Sequence, residues 1–321
     1  MRLKIIPDVT NIDFFGRSRY TLGLSGVLFV LSIVAFFAFG LNFGVDFKGG
    51  TSIRTESPAA VDVGAYRDAL TPLDLGDVSI TEVFDSTFGA DRNVASIRIG
   101  AQNADEAITP EQIAEVRTAL NAVDPELTFA AVESVGPKVS GELIWTAVEA
   151  VLAAIGTVLV YIWLRFEWQF SVGAVLALVH DITLTIGIFA ALQIRFDLAI
   201  IAALLTIVGY SLNDTVVVFD RVRENLRRYK KMDLKELLNL SINETLARSF
   251  MTSFTTLIAL ISLFVLGGDV IRGFVFAMIW GIVVGTYSST FVASELVLRL
   301  GVKRDWTKAD AEAGTQFTTD P

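Results

Sequence analysis

The sequence contains no cysteine and a single histidine, His180. The first absence excludes a disulfide framework, a cysteine-based zinc site and thiol catalysis. The second excludes a metal centre built from several histidines. What the chain has instead is apolar surface. Over half of its residues are hydrophobic and its mean hydropathy is clearly positive. They fall in blocks long enough to cross a hydrocarbon core, which takes about 20 helical residues.

Six such blocks are read as helical spans, at 20–41, 144–164, 171–192, 198–219, 250–266 and 273–298. The segment 1–19 carries Arg2, Lys4, Arg17 and Arg19 ahead of the first block, as a signal peptide would. The block is too long for a signal h-region, and no small-residue cleavage site follows it, so it reads as an uncleaved anchor. Basic residues cluster at 221–248 (Arg221, Arg223, Arg227, Arg228, Lys230, Lys231, Lys235, Arg248) and in the tail 299–321 (Arg299, Lys303, Arg304, Lys308). By the positive-inside rule both termini and a basic loop, 220–249, are expected in the cytoplasm, and the acid-rich segment 42–143 outside. Trp163, Trp168 and Phe170 fit interfacial anchors. The basic loop fits topology and contact with membrane lipids, or a docking site for a cytoplasmic partner.

The segment 42–143 is large enough to fold as a domain. Residues 51–55 suit a strand. Asp62 is placed to cap a helix with Val63, Tyr66 and Leu70 on one face. A strand is expected at 78–83, and Ala95, Ile97 and Ile99 alternate with polar residues. Thr109-Pro110-Glu111-Gln112 forms a capping-box pattern ahead of Ile113, Val116 and Leu120. Leu127, Phe129 and Ala131 alternate again. The order is βαββαβ, the ferredoxin-like pattern. The expected fold class is thus an all-α six-helix transmembrane bundle with an inserted ferredoxin-like α+β domain. That domain shows no paired catalytic carboxylates, nucleophile elbow or phosphate loop, so a protein-contacting module is favoured over an enzyme.

Ionisable residues inside a span are costly unless paired or hydrated, so they mark function. Asp181 lies near the middle of the third span beside His180. The fourth carries Tyr210, Ser211, Asn213 and Asp214, with Asp220 about 9 Å further along the helix. Arg248, Thr252, Thr255 and Thr256 make a polar stripe on the fifth. Arg248 has the reach to approach Asp214 if the two helices are neighbours. Asp214 fits a proton or ion relay better than a structural hydrogen bond; for Asp181 the two roles stand equal. His180 fits a local hydrogen-bonding role, with no second ligand at metal spacing. In the sixth span, Gly281-x-x-x-Gly285 ahead of Ser288, Ser289 and Thr290 suits close helix packing.

Three motifs carry a resemblance. Gly44-Val45-Asp46-Phe47-Lys48-Gly49-Gly50, with Asp46, Gly49 and Gly50 as its signature positions, is similar to a motif of the SecD/SecF family of protein-export membrane proteins. The run from Val208-Gly209-Tyr210-Ser211-Leu212-Asn213-Asp214 through Phe219-Asp220-Arg221 to Asn225 resembles the same family in its SecF form. So does Thr245-Leu246-Ala247-Arg248-Ser249 with Thr252-Ser253-Phe254-Thr255-Thr256-Leu257. The resemblance implies membership of the resistance–nodulation–division superfamily of proton-coupled machines in the bacterial inner membrane. It implies a SecD partner on a separate chain, pairing into a twelve-span unit, and association with the SecYEG channel and commonly YajC and YidC. It implies exported unfolded polypeptides as clients, drawn outwards by the proton motive force. It assigns Asp214 and Arg248 to the proton path, with Tyr210, Asn213, Asp220, Thr252 and Thr256 as supporting polar residues. No metal, cofactor or nucleic acid is expected. Two other readings stand beside it: half of a proton-coupled lipid or drug exporter, and a non-transporting translocon scaffold. Exporters of that kind usually carry both halves and larger external domains in one chain.

Overall fold

A computed structural model describes residues 10–83, 92–101 and 108–302 of the chain. Lys303, Arg304 and Lys308 of the tail, and Arg2 and Lys4, lie outside the described residues. Among those described, six helices are long and apolar enough to cross a membrane. They are α1 (Ser18–Phe39), α5 (Pro137–Arg165), α6 (Trp168–Leu192), α7 (Leu198–Arg228), α8 (Leu234–Leu266) and a sixth, composite span. The sixth consists of α9 (Asp269–Ser288), one π-helical turn (Ser289–Ala293) and α10 (Ser294–Leu300). Side chains such as Phe37 and Leu164 stand exposed on the rim, as an apolar solvent requires.

Helix α6 is the most enclosed span and packs against α1, α5, α7 and α9. Helices α7 and α9 pack closely because α9 presents glycine. A Cβ on Gly281 would lie 2.4 Å from the Ile207 side chain, and one on Gly285 would lie 3.1 Å from Ser211 Cβ. The close-packing expectation for that glycine pair therefore holds.

The structure differs from the sequence reading at 220–249. This is no loop: α7 continues to Arg228, α8 starts at Leu234, and only a short turn joins them. The charges hid a helical stripe. Val222, Leu226, Leu237, Leu238 and Ile242 are buried in one cluster with Phe14 and Phe15 of the N-terminal segment. That segment is pinned to α8 by two side-chain amides one turn apart. Asn243 Oδ1 accepts from Ile12 N–H at 2.9 Å while its Nδ2 donates to Ile12 O at 2.9 Å; Asn239 Oδ1 accepts from Phe14 N–H at 2.9 Å.

Between α1 and α5 the chain forms the inserted domain. After a short strand β1 (Asn42–Phe43) and one helical turn α2 (Val45–Lys48) come β2 (Gly50–Ser57), α3 (Val63–Leu70), β3 (Val78–Val83), β4 (Asn93–Gly100), α4 (Pro110–Val123) and β5 (Thr128–Val135). From β2 to β5 this is the expected βαββαβ order. The four strands pair antiparallel in the order β3-β4-β2-β5. Both predicted helix starts are present: Asp62 accepts from Ala65 N–H, and Thr109 with Gln112 forms a full capping box. Ile53, Ile80, Ile97 and Ile99 on one sheet face bury against Tyr66, Leu70, Val116 and Leu120 of the two helices. Each such side chain contributes about 1.5–3 kcal/mol on burial, so the domain has a core of its own. The opposite face, with Ser79, Thr81, Ser96 and Arg98, is polar.

A candidate intramembrane polar site

Strand β1 pairs in parallel with β6 (Arg195–Phe196), the link between α6 and α7. Gly44 N–H then donates to Phe196 O at 2.8 Å, and Asp46 Oδ2 accepts the N–H of Leu198 at 3.0 Å. Asp46 therefore caps α7 from outside, placing negative charge where that helix leaves its first N–H groups unpaired. Gly49 and Gly50 follow with φ of 74° and 119°. A side chain at Gly50 would also meet Ile99 O at 2.4 Å, so only glycine starts β2 against β4 here.

Helix α7 carries Asp214, which is buried at 7% exposure. Its Oδ2 accepts a hydrogen bond from the Ser289 hydroxyl. Asp181 on α6 is wholly buried. Its Oδ2 accepts from Ser211 on α7 and from Ser288, both at 2.7 Å, and its Oδ1 lies 3.0 Å from His180 Nδ1. Neighbouring residues of an α-helix point about 100° apart. The two adjacent serines of the sixth span thus reach different helices and serve one acid each. The π turn starts between them, and Ser294 at its far end donates its Oγ–H to Ser289 O, five residues back, at 3.1 Å. Such a turn re-phases the helix that follows and recurs at functional sites.

The other expected residues divide sharply. Tyr210 OH donates to Ser253 on α8 at 3.4 Å, and Ser253 shares a hydrogen bond with Thr286 on α9 at 2.7 Å. Asp220 is exposed and pairs with Arg165 at 3.2 Å. Asn213, Arg248 and Thr252 are exposed, and Thr256 is half-buried. The Thr252 and Thr256 hydroxyls donate to main-chain carbonyls of their own helix. Counting 1.5 Å per residue, Asp214 and Arg248 sit about 24 and about 27 Å from the domain-side ends of their helices. They match in depth, yet among the described residues no ion pair joins them. Asp214 faces α9, while Arg248 faces away from the bundle. Sequence reading placed Ser288 and Ser289 in a close-packing stretch and missed that they, with Ser211, hold the two acids. For Ser211 the signal available was its place on the helix that carries Asp214, one turn from that acid.

A family profile described as "Protein export membrane protein SecD/SecF, C-terminal" matches residues 115–303, and one described as "SecD/SecF GG Motif" matches residues 34–57. A protein named "Protein translocase subunit SecF" from Cereibacter sphaeroides is 63% identical over 98% of both chains. The chain belongs to the SecF family of protein translocase subunits. A relative of the same name from Rhodobacter capsulatus is 57% identical over 96% of this chain and 95% of its own. Among solved structures, that of SecDF from Thermus thermophilus, titled a translocon-associated membrane protein, superposes with a TM-score of 0.82 at 36% identity. It covers 94% of this chain, whereas this chain spans 40% of the SecDF chain. A SecDF structure titled as the super-membrane-facing form gives 0.67 at 37% identity and 93% coverage. As a SecF-family protein, the chain is a multi-pass protein of a bacterial membrane and a subunit of the protein-export machinery.

Proposed function

We propose that this SecF-family chain pairs with a separate SecD to form a proton-driven unit that promotes passage of unfolded polypeptides through the SecYEG channel, with YajC and YidC as further associates. The observation that carries this reading is the exposed polar face of α7 and α8. Asn213, Arg248, Thr252 and Thr255 turn outward at membrane depth. A polar face at that depth costs free energy against acyl chains, so it fits a surface covered by a second membrane protein. Both termini lie in the cytoplasm on this reading, and the α+β domain lies across the membrane.

The mechanism follows from the two neighbours available to Asp214. In this structure it holds the Ser289 hydroxyl; Arg248 waits at similar depth on the open face. Ionised, Asp214 is drawn towards the guanidinium and towards whatever the partner supplies there. Protonated, it is neutral and the Ser289 hydrogen bond suffices. Proton uptake and release thus bias two arrangements of α7 against α8 and α9. One charge crossing the full field yields about 2.3 kcal/mol per 100 mV, enough to tip a balanced interface. Through Asp46, movement of α7 reaches β2 and the external domain.

The test is export into membrane vesicles with and without an uncoupler, at matched protein levels. Asp214→Asn and Arg248→Met should assemble and lose gradient stimulation. Wild-type stimulation in Asp214→Asn would overturn the relay. It would favour the scaffold reading, for which the observed Asp214–Ser289 interhelical hydrogen bond already provides a structural role.

A further inference from the structure

The polar face of the sheet does not rest on the bundle. Between them lies a cleft of about 600 Å³, within the range of small-molecule sites. Its upper wall is Thr81, Ser96 and Arg98; its lower wall includes Arg195 and Arg272, from the α6–α7 link and the first turn of α9. Phe264 of α8 and Phe276 of α9 complete it on the membrane side. Beside these, Val265, Leu266, Val270 and Ile271 are exposed, so the cleft opens where the bundle meets acyl chains.

We infer that this cleft binds the headgroup of a phospholipid from the adjoining leaflet, its phosphate on the guanidiniums of Arg98, Arg195 and Arg272 and the start of an acyl chain along Phe264 and Phe276. Three observations support it. The first is the placement of charge: arginines stand on both walls, Arg98 on the domain side and Arg195 and Arg272 on the bundle side, with the carboxylates Glu82 and Asp197 between them. The second is donor supply. Arg195 uses its Nε on Asp197 at 3.3 Å, and a guanidinium has further donors in a planar fork that matches phosphate. The third is polarity by height: arginine and hydroxyl on the domain side, phenylalanine on the membrane side, in the order of a lipid. An extended peptide laid on the outer edge of β3, the end strand among the described residues, would use the hydroxyls but has no need of the aromatic floor. A bound lipid would tie the domain to the membrane surface next to β6, and so to the start of α7.

The test is native mass spectrometry of the full-length chain, purified in detergent and titrated with phosphatidylglycerol or phosphatidylethanolamine. Wild type should retain one lipid that Arg98→Gln/Arg272→Gln loses, with affinity reduced on the order of tenfold or more for the lost charge-assisted bonds. Arg98→Lys/Arg272→Lys should retain part of it. Thr81→Trp, which fills the cleft without changing charge, should expel the lipid as well and serves if the double glutamine variant does not fold. Equal retention by wild type, the glutamine variant and Thr81→Trp would overturn the proposal. So would displacement of the lipid by millimolar inorganic phosphate, which would mark a site for soluble anions. Photo-crosslinking from position 81 should yield lipid adducts; adducts with an exported precursor in their place would overturn it in favour of a peptide site.

Discussion

The Asp46 carboxylate holds the main-chain N–H of Leu198. A residue of the turn that launches the external domain thus caps the helix that bears the buried acid Asp214. The contact is reinforced on both sides, by β1 pairing with β6 and by Gly44 bonding Phe196. Domain and acid are joined by a single helix and its cap, with no flexible linker between them.

Asp46→Ala should therefore destabilise the start of α7 by about 1 kcal/mol, the usual worth of a cap. A thermal melt of the purified chain measures this. Export should fall by more than the loss of folded protein accounts for, because the domain loses its hold on α7. Equal falls in export and in protein level would leave the cap a stabilising contact only.

Gly281→Ala should loosen or shift the α7–α9 contact. The added methyl meets the Ile207 side chain at three carbons, the nearest at 2.4 Å, so the residue cannot simply turn one end aside. Overpacking of this kind costs about 1–3 kcal/mol. Gly209→Ala is the control: nothing lies within 4 Å of its Cβ, and a midhelix alanine there should be neutral or mildly stabilising. Comparable melts for the two variants would refute the packing assignment.

Asp181→Leu should lower the amount of assembled protein, because the buried Ser211 hydroxyl loses its acceptor, at about 1–3 kcal/mol for a group left unsatisfied, while Ser288 keeps only Gly285 O at 3.2 Å. Asp181→Asn keeps an acceptor for both. If Asp181 is structural, the asparagine variant retains gradient-stimulated export; loss of stimulation at normal protein levels would move it into the proton path proposed for Asp214.

The external domain offers a pH test away from the membrane. Tyr66 OH donates to Asp124 Oδ2 at 3.2 Å. Burial first, then the Asp124 charge, pushes the phenol up from 10.0 to about 12. The folded state thus favours the protonated ring. That contribution is complete below pH 10 and is lost as pH rises through about 12. The segment 42–143 expressed alone should melt progressively lower across that window, and Tyr66→Phe should flatten the fall. A parallel decline in the two would place the alkaline transition elsewhere.

Orientation is open to direct measurement in a chain without cysteine. Thr118→Cys on α4 should react with an impermeant thiol reagent in intact cells with a permeabilised outer envelope, and Lys231→Cys in the turn before α8 should not. The reverse result would invert the topology.

The sequence made the larger elements legible and left their pairings hidden. Hydropathy located the spans, and alternation with two capping patterns located the domain's strands and helices. These signals are local: Asp62 and Thr109 act within three residues of themselves. The helical ends of α7 and α8 were masked because the stripe of Val222, Leu226, Leu238 and Ile242 is interleaved with charge, and its burial depends on Phe14 and Phe15 more than two hundred residues away. The partner of Asp214 was hidden for a related reason. Electrostatics singles out Arg248 as the natural mate, but rotation about the α8 axis decides which residue faces inward, and that rotation is set by packing. Ser253 took the inward position; Arg248 did not.

The outward face of α7 and α8 also bears on how the protein is supplied. On the proposed pairing with SecD, a copy made without that partner would present a guanidinium and a carboxamide, Arg248 and Asn213, to the bilayer at once. Its own surface would mark such a copy as an orphan, open to non-native association and to removal by membrane quality control. Cellular abundance would then be set by whichever subunit is scarcer, and balanced synthesis of the two would matter more than the expression level of either.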